Sequence, residues 1–203
     1  MMKRNNFPFS AVLGLNHAKT AILIVLVNPR AGGLLISGPR GIGKSTLMRS
    51  TQELIERPWR DIPVSVTEDR LFGTIDTEKA IYSGQKKLYP GIINEADQGV
   101  LYLDDANLLR EDLLDSILNI AEVGAYQLER DGLSLRCDTS FTVIAAINPE
   151  SGMLSGACLD QFGLFVNVDN IHDENTRVEI LKRTISFEKD CASFCKLWKL
   201  ENE

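Results

Sequence analysis

The sequence predicts an α/β fold built on a mainly parallel, five-stranded sheet, and three observations predict it. Short apolar runs of buried-strand type alternate with longer stretches of helical periodicity. A glycine-rich loop, Gly38-Pro39-Arg40-Gly41-Ile42-Gly43-Lys44-Ser45, joins one of those runs to one of the helical stretches. A second run, Val100-Leu101-Tyr102-Leu103, ends on the paired carboxylates Asp104 and Asp105. That ending places both acids at the carboxyl edge of the sheet, where open α/β sheets bind ligands.

In chain order, 18–27 reads as a helix and 33–37 as the strand that feeds the glycine loop. A helix over 45–56 follows, then a strand over 62–66 and a helix over 77–86, with Asp76 or Thr77 as its cap. The strand at 100–103 precedes a helix at 110–123. Two polar-apolar alternations, 125–129 and 133–137, flank Arg130-Asp131-Gly132 and predict a hairpin, because Asp-Gly suits a turn that needs positive φ. Strands at 142–147 and 164–168 complete the five; Pro149 ends the first of them just after Asn148. The remainder is a helix at 174–188 and a charged, aromatic segment, 191–203, expected as a helix with a frayed tail. The expected division is a nucleotide-binding α/β domain over 1–173 and a short C-terminal helical segment over 174–203.

Composition excludes several classes. The chain has 203 residues, 44% hydrophobic and 25% charged, the make-up of one soluble domain with a good-sized core. Its longest uninterrupted apolar run, Ala21 to Val27, falls far short of the roughly 20 residues a membrane helix needs, and with no charged-then-apolar pattern at the N-terminus no export leader is expected. A cytoplasmic location without membrane attachment is the resulting expectation. The net charge of −6 lacks the basic footprint of a duplex nucleic-acid binder, so no nucleic-acid partner is expected. Cys137, Cys158, Cys191 and Cys195 are irregularly spaced and read as free thiols rather than a disulfide framework. Cys191 and Cys195 share a helix face, but two thiols without a nearby histidine do not make a zinc site.

The glycine loop fits G-x-x-x-x-G-K-[ST], with a strand before it and a helix after it. Glycines at 38, 41 and 43 let the backbone curl so that successive N–H groups point at phosphate oxygens, and the helix adds the positive end of its dipole. Lys44 then reaches the β- and γ-phosphates of a nucleotide, and the Ser45 hydroxyl is a ligand for Mg²⁺. Asp104 would hold that metal opposite Ser45, and Asp105 would orient the attacking water. The same acids, with Asn107, also suit the cap of a following helix. Asn148 is a candidate donor to the γ-phosphate or the water, although Asn148-Pro149 is equally a plain turn dipeptide.

Taken together, FPFSAVLGLNHAK, NPRAGGLLISGPRGIGKST, VTEDRLFGTIDTEKAI, GVLYLDDANLL and AINPESGMLSGACLDQFGL resemble the ATPase subunit I of magnesium chelatase and its cobalt chelatase relatives, members of the AAA+ superfamily of P-loop NTPases. The resemblance runs from about Phe7 to about Trp198, and the segment Thr67-Glu68-Asp69-Arg70-Leu71-Phe72-Gly73 is its most specific part. It implies a three-layer AAA+ core whose subunits form a ring, expected to be a hexamer, and hydrolyse MgATP at their interfaces. That hydrolysis would drive metal insertion into a tetrapyrrole by partner subunits, including one of von Willebrand type. It further implies that Gly38, Pro39, Arg40, Gly41, Ile42, Gly43, Lys44, Ser45 and Thr46 bind phosphate and Mg²⁺. Asp104 and Asp105 would form the Walker B pair, Asn148 would be sensor 1, and Val12 and Leu13 would lie near the adenine. A MoxR-like chaperone ATPase with its own von Willebrand-type partner shares the same core and is the alternative.

Three departures from the family pattern stand out. Asp105 replaces the usual glutamate and is one methylene short; a displacement of about 1 Å in a catalytic group costs on the order of a hundredfold. Gln161, in Leu159-Asp160-Gln161-Phe162-Gly163, stands where the family has its finger arginine, a group worth about 10³ to 10⁵ in rate. It reads equally as an exposed polar residue. The chain also ends at Glu203, before most of the helical lid that would supply the sensor 2 arginine. Weak hydrolysis, or a scaffold subunit that binds without turning over, is therefore expected. The charges of Arg40, Lys86, Lys87 and Arg130 read as a solvated face, with the Arg130 hairpin a candidate to line the pore of a ring.

Overall fold

The computed structural model describes residues 6–75, 88–130 and 133–202. Its centre is a five-stranded sheet of β1 (Leu34–Ser37), β2 (Trp59–Ile62), β5 (Val100–Leu103), β8 (Thr142–Ile147) and β9 (Leu164–Asn167), in the spatial order β2-β5-β8-β1-β9. All neighbours are parallel. The three central strands are buried along their whole length and mostly apolar because both faces are covered.

Alternate residues feed two separate cores. Leu35, Leu101, Leu103, Val143, Ala145 and Ile147 face one side, packed with Leu113, Leu114 and Ile117 of helix α5 (Glu111–Val123) and Ile92 and Ile93 of the short α4 (Ile92–Glu95). Leu34, Ile36, Val100, Tyr102, Ile144 and Ala146 face the other, against α1 (Asn16–Val27) and Leu47 and Met48 of α2 (Lys44–Thr51). A period of two along each strand therefore yields three layers.

Two expected boundaries are corrected. The second strand occupies 59–62, not 62–66: Pro63 has no N–H to continue the ladder, Val64 is exposed and Val66 closes a turn onto Pro63 O. Trp59 supplies the strand's inward contact instead, its ring 5.9 Å from that of Tyr102. Helix α2 stops at Thr51 rather than 56, followed by a single 3₁₀ turn, Gln52–Leu54, and extended Ile55. Ser50 and Thr51 both donate their hydroxyls to Leu47 O, the kind of back-bonding that weakens a helix end.

The segment after β2 carries α3 (Glu68–Phe72), β3 (Gly73–Ile75) and β4 (Leu88–Pro90), which periodicity did not reveal. Gly73 has φ +87, and a Cβ there would lie 2.3 Å from Tyr89 O, so only glycine lets the two short strands close. The helix expected at 77–86, with Lys86 and Lys87, lies outside the described residues. The hairpin forms as β6 (Ala125–Arg130) and β7 (Leu133–Asp138), in antiparallel register, with its Asp131-Gly132 tip also outside them.

At the far end, α6 (Gly156–Asp160) precedes β9, and α7 (Glu174–Lys189) and α8 (Cys191–Asn202) follow it. The last two helices pack on the N-terminal segment rather than standing apart. Phe7 meets Phe187 and Phe194 at 5.2 and 5.4 Å, Arg183 Nη1 donates to Ala11 O at 3.0 Å, and the Arg183 guanidinium lies 4.4 Å from the Trp198 ring centre. Among the described residues no helix is long and apolar enough to cross a membrane.

Candidate nucleotide site

The loop after β1 is anchored where Gly38 N donates to Ile147 O at 3.2 Å. A Cβ at Gly38 would lie 2.4 Å from Val168 O, so the loop leaves the sheet flush against β9. Gly41 and Gly43, at φ +83 and +95, then turn it back on itself into α2. Lys44 is buried at 8% exposure, and its Nζ donates to Gly38 O at 2.6 Å and Pro39 O at 2.9 Å, inside the curl of the loop. Desolvation lowers its pKa from the usual lysine value, opposed by Asp105 and Asp104 nearby.

Directly after Lys44, Ser45 Oγ donates to Asp104 Oδ2 at 3.0 Å. Asp105 follows in the left-handed conformation, φ 50, and lies 3.9 Å from Arg40 across the loop. Arg40, Gly41, Gly43, Lys44, Ser45, Thr46, Asp104 and Asp105 surround a cavity of about 270 Å³. Through Arg40, Gly41, Gly43 and Thr46 it shares a wall with a larger one of about 780 Å³. The larger cavity is lined by Val12, Leu13, Leu15 and Ile42 on one side and by Arg177, Ile180, Thr184 and Phe187 of α7 on the other. A charged, loop-lined cavity joined to a larger apolar one suits a molecule with a phosphate chain at one end and an aromatic ring at the other.

Not every expected residue meets there. Asn148 is buried and lines neither cavity: its Oδ1 accepts from Glu150 N at 3.2 Å and its Nδ2 donates to Ser151 Oγ at 3.1 Å, capping the turn that Pro149 begins. Gln161 closes α6 and donates weakly to Ala157 O. It borders a different cavity, with Gly33 and Thr142, at the starts of β1 and β8 and therefore at the opposite edge of the sheet from the phosphate loop. The α7 wall was missed from sequence. Residues 177, 180, 184 and 187 recur at helical spacing on one face, but nothing local says which surface that face meets.

A parallel sheet of this strand order, with a phosphate loop after β1 and an acid pair after β5, defines a P-loop ATPase domain of the AAA class. Residues 33–161 match the family model for the AAA domain of the dynein-related subfamily. The chain is 35% identical to the magnesium-chelatase 38 kDa subunit of Cereibacter sphaeroides, over 97% of its own length and 69% of that protein's. It is 32% identical to the magnesium-chelatase subunit ChlI of Synechocystis, over 99% and 68%. Among solved structures, a chain of the complex between subunits BchI and BchD of magnesium chelatase superposes with a TM-score of 0.77 at 35% identity, covering 98% of this chain and 72% of that one. The chain thus belongs to the AAA ATPases and, within them, to the family of the magnesium-chelatase ATPase subunit. It spans about two thirds of the length of these relatives, 69% and 68% for the two named subunits.

Proposed function

We propose that this chain is a MgATP-binding motor module, coupling nucleotide binding and hydrolysis to metal insertion into a tetrapyrrole by partner subunits, as its relatives' names imply. The carrying observation is the Lys44-Ser45-Asp104 arrangement: a buried ammonium inside the loop, and a hydroxyl held on a carboxylate beside it. This donor set suits a magnesium-bound polyphosphate, because cation, backbone N–H groups and hard oxygens converge on one small cavity. Residues 38–46 would hold the phosphates, with Lys44 at the β- and γ-oxygens. Ser45 and Asp104 would hold Mg²⁺, which neutralises charge on the phosphate oxygens. Val12 and Leu13 would flank the adenine, with the α7 face opposite.

Asp105 is the candidate to orient the attacking water; its pairing with Arg40 sets where its carboxylate starts. Asn148 would reach the γ-phosphate only by exchanging its contacts with Glu150 and Ser151. Residues 1–173 would act as the nucleotide domain and 174–203 as the wall that closes its larger cavity. Partners would be further AAA+ subunits in a ring, a hexamer by the family pattern, and a von Willebrand-type subunit, acting in the cytoplasm.

The test is titration with MgADP: binding in the micromolar range that disappears in Lys44→Ala. An unchanged titration in that variant refutes the reading. The neutral side chain of Gln161, where the family pattern has its finger arginine, favours one second reading, a scaffold subunit that binds nucleotide without turning it over. ATP turnover across a protein-concentration series separates the two readings.

A further inference from the structure

Tyr102 sits two residues before Asp104 on β5, and strand alternation puts both on the same face of the sheet. The residue is buried at 4% exposure, with its ring held against Trp59. The hydroxyl lies beside the Asp104 carboxylate and the Ser45 hydroxyl. No well-formed hydrogen bond reaches it, and it is one of very few buried polar side-chain atoms without a partner among the described residues. Burying a hydroxyl without a partner is costly, and phenylalanine would fill the same space without that cost.

Ser45 and Tyr102 approach the same carboxylate, and Ser45 holds one of its oxygens, Oδ2. A serine oxygen ligates a cation through a lone pair and can keep its O–H on Oδ2, which leaves the rest of the carboxylate to be oriented by a second donor. Tyr102 is the donor in reach. A phenol is protonated at neutral pH, so its O–H is available as a donor there.

We propose that Tyr102 is a positioning residue of the metal site: its phenolic O–H donates to Asp104 when the magnesium-nucleotide is bound, and orients that carboxylate toward the cation. The proposal rests on the reading of Ser45 and Asp104 as the magnesium-holding pair. Through Trp59 it also ties the edge strand β2 to the site.

The test uses Tyr102→Phe in the full chain, with a fluorescent ADP analogue titrated in EDTA and again in excess Mg²⁺. The expected result is an unchanged affinity in EDTA and a loss of about fivefold in the affinity gained on adding Mg²⁺, the scale of one hydrogen bond. Without nucleotide the variant is expected to melt at or above the wild-type temperature, since its hydroxyl has no partner to lose; a packing role predicts a lower one. In an Asp104→Asn background, Tyr102→Phe should have no further effect on the magnesium gain.

A magnesium gain equal to wild type overturns the proposal, as does an equal loss in EDTA and in Mg²⁺, or a variant that fails to fold. A wild-type chain whose ADP affinity ignores Mg²⁺ overturns the metal-site reading and this proposal with it. A wild-type gain left intact in the variant overturns the role of Tyr102 alone.

Discussion

Ser45 donates a 3.0 Å hydrogen bond to Asp104, a residue 59 positions further along the chain. The bond joins the first turn of α2 to the end of β5, two strands away from β1 in the sheet. It follows that Ser45→Ala and Asp104→Asn should each remove about tenfold or more of the nucleotide affinity that depends on Mg²⁺, while leaving binding in EDTA nearly intact. Isothermal titration with and without the metal checks this; variants that bind MgADP as the wild type does would contradict it.

Two loop glycines separate packing from conformation. Alanine at 38 places a Cβ 2.4 Å from Val168 O and 2.6 Å from Val168 Cγ2, so backbone must move, at a cost of about 1–3 kcal/mol. Alanine at 41 meets nothing within 4 Å, and its cost is the left-handed φ of +83, about 1 kcal/mol. For a chain of this size each kcal/mol lowers the melting point by roughly 2–4 °C. Gly38→Ala should therefore melt below Gly41→Ala in calorimetry, and equal midpoints would show that the Val168 contact relaxes freely.

Gln161 lies at the opposite sheet edge from its own phosphate loop, so a charge placed there would reach a nucleotide only in a neighbouring chain. Gln161→Arg should raise ATP turnover by about a thousandfold or more if Asp105 is competent, the range of such arginines. The gain should vanish on dilution, which a turnover assay over a concentration series reads directly. A gain independent of concentration would place the arginine in its own subunit's site.

Cys158 is 1% exposed and donates its thiol to Asp115 Oδ1 at 2.9 Å. Burial, then that acidic partner, raises its pKa above the usual 9.0. The folded value exceeds the unfolded one, so this group's contribution to stability is fully present below about pH 9 and is lost as pH rises through the folded value. Iodoacetamide at pH 8 should leave Cys158 unmodified in the native chain and label it in urea. Mass spectrometry of the tryptic peptide decides between the two outcomes.

Much of the fold was legible. Strands 34–37, 100–103 and 142–147 sit within a residue of their expected limits because double-sided burial leaves a local signature, and the edge strand 164–167 does so through its apolar Leu164-Phe165-Val166 although Phe165 is exposed. The second strand was misplaced since an edge strand such as Trp59–Ile62 needs no apolar run, and Ile62 to Val66 mimics one. The short elements α3, β3, β4 and α6 are held by contacts such as Gly73 against Tyr89, not by periodicity. The shape of the glycine loop was legible because it depends on backbone geometry at Gly38, Gly41 and Gly43 that a side chain would obstruct or strain.

The sequence by itself determined the chemistry on offer: a glycine loop ending in Lys44-Ser45, a strand ending in Asp104-Asp105, and a neutral Gln161. The tertiary structure decided which of these groups meet. Parallel strand order brings Asp104 to Ser45, capping turns the Asn148 amide toward Ser151, and packing of α7 on the N-terminal segment builds the larger cavity. The reason is one of range. Backbone preference and hydrophobic period act over a few residues and are written locally, whereas the partner of a side chain depends on how distant elements pack, and that is fixed only when the core closes.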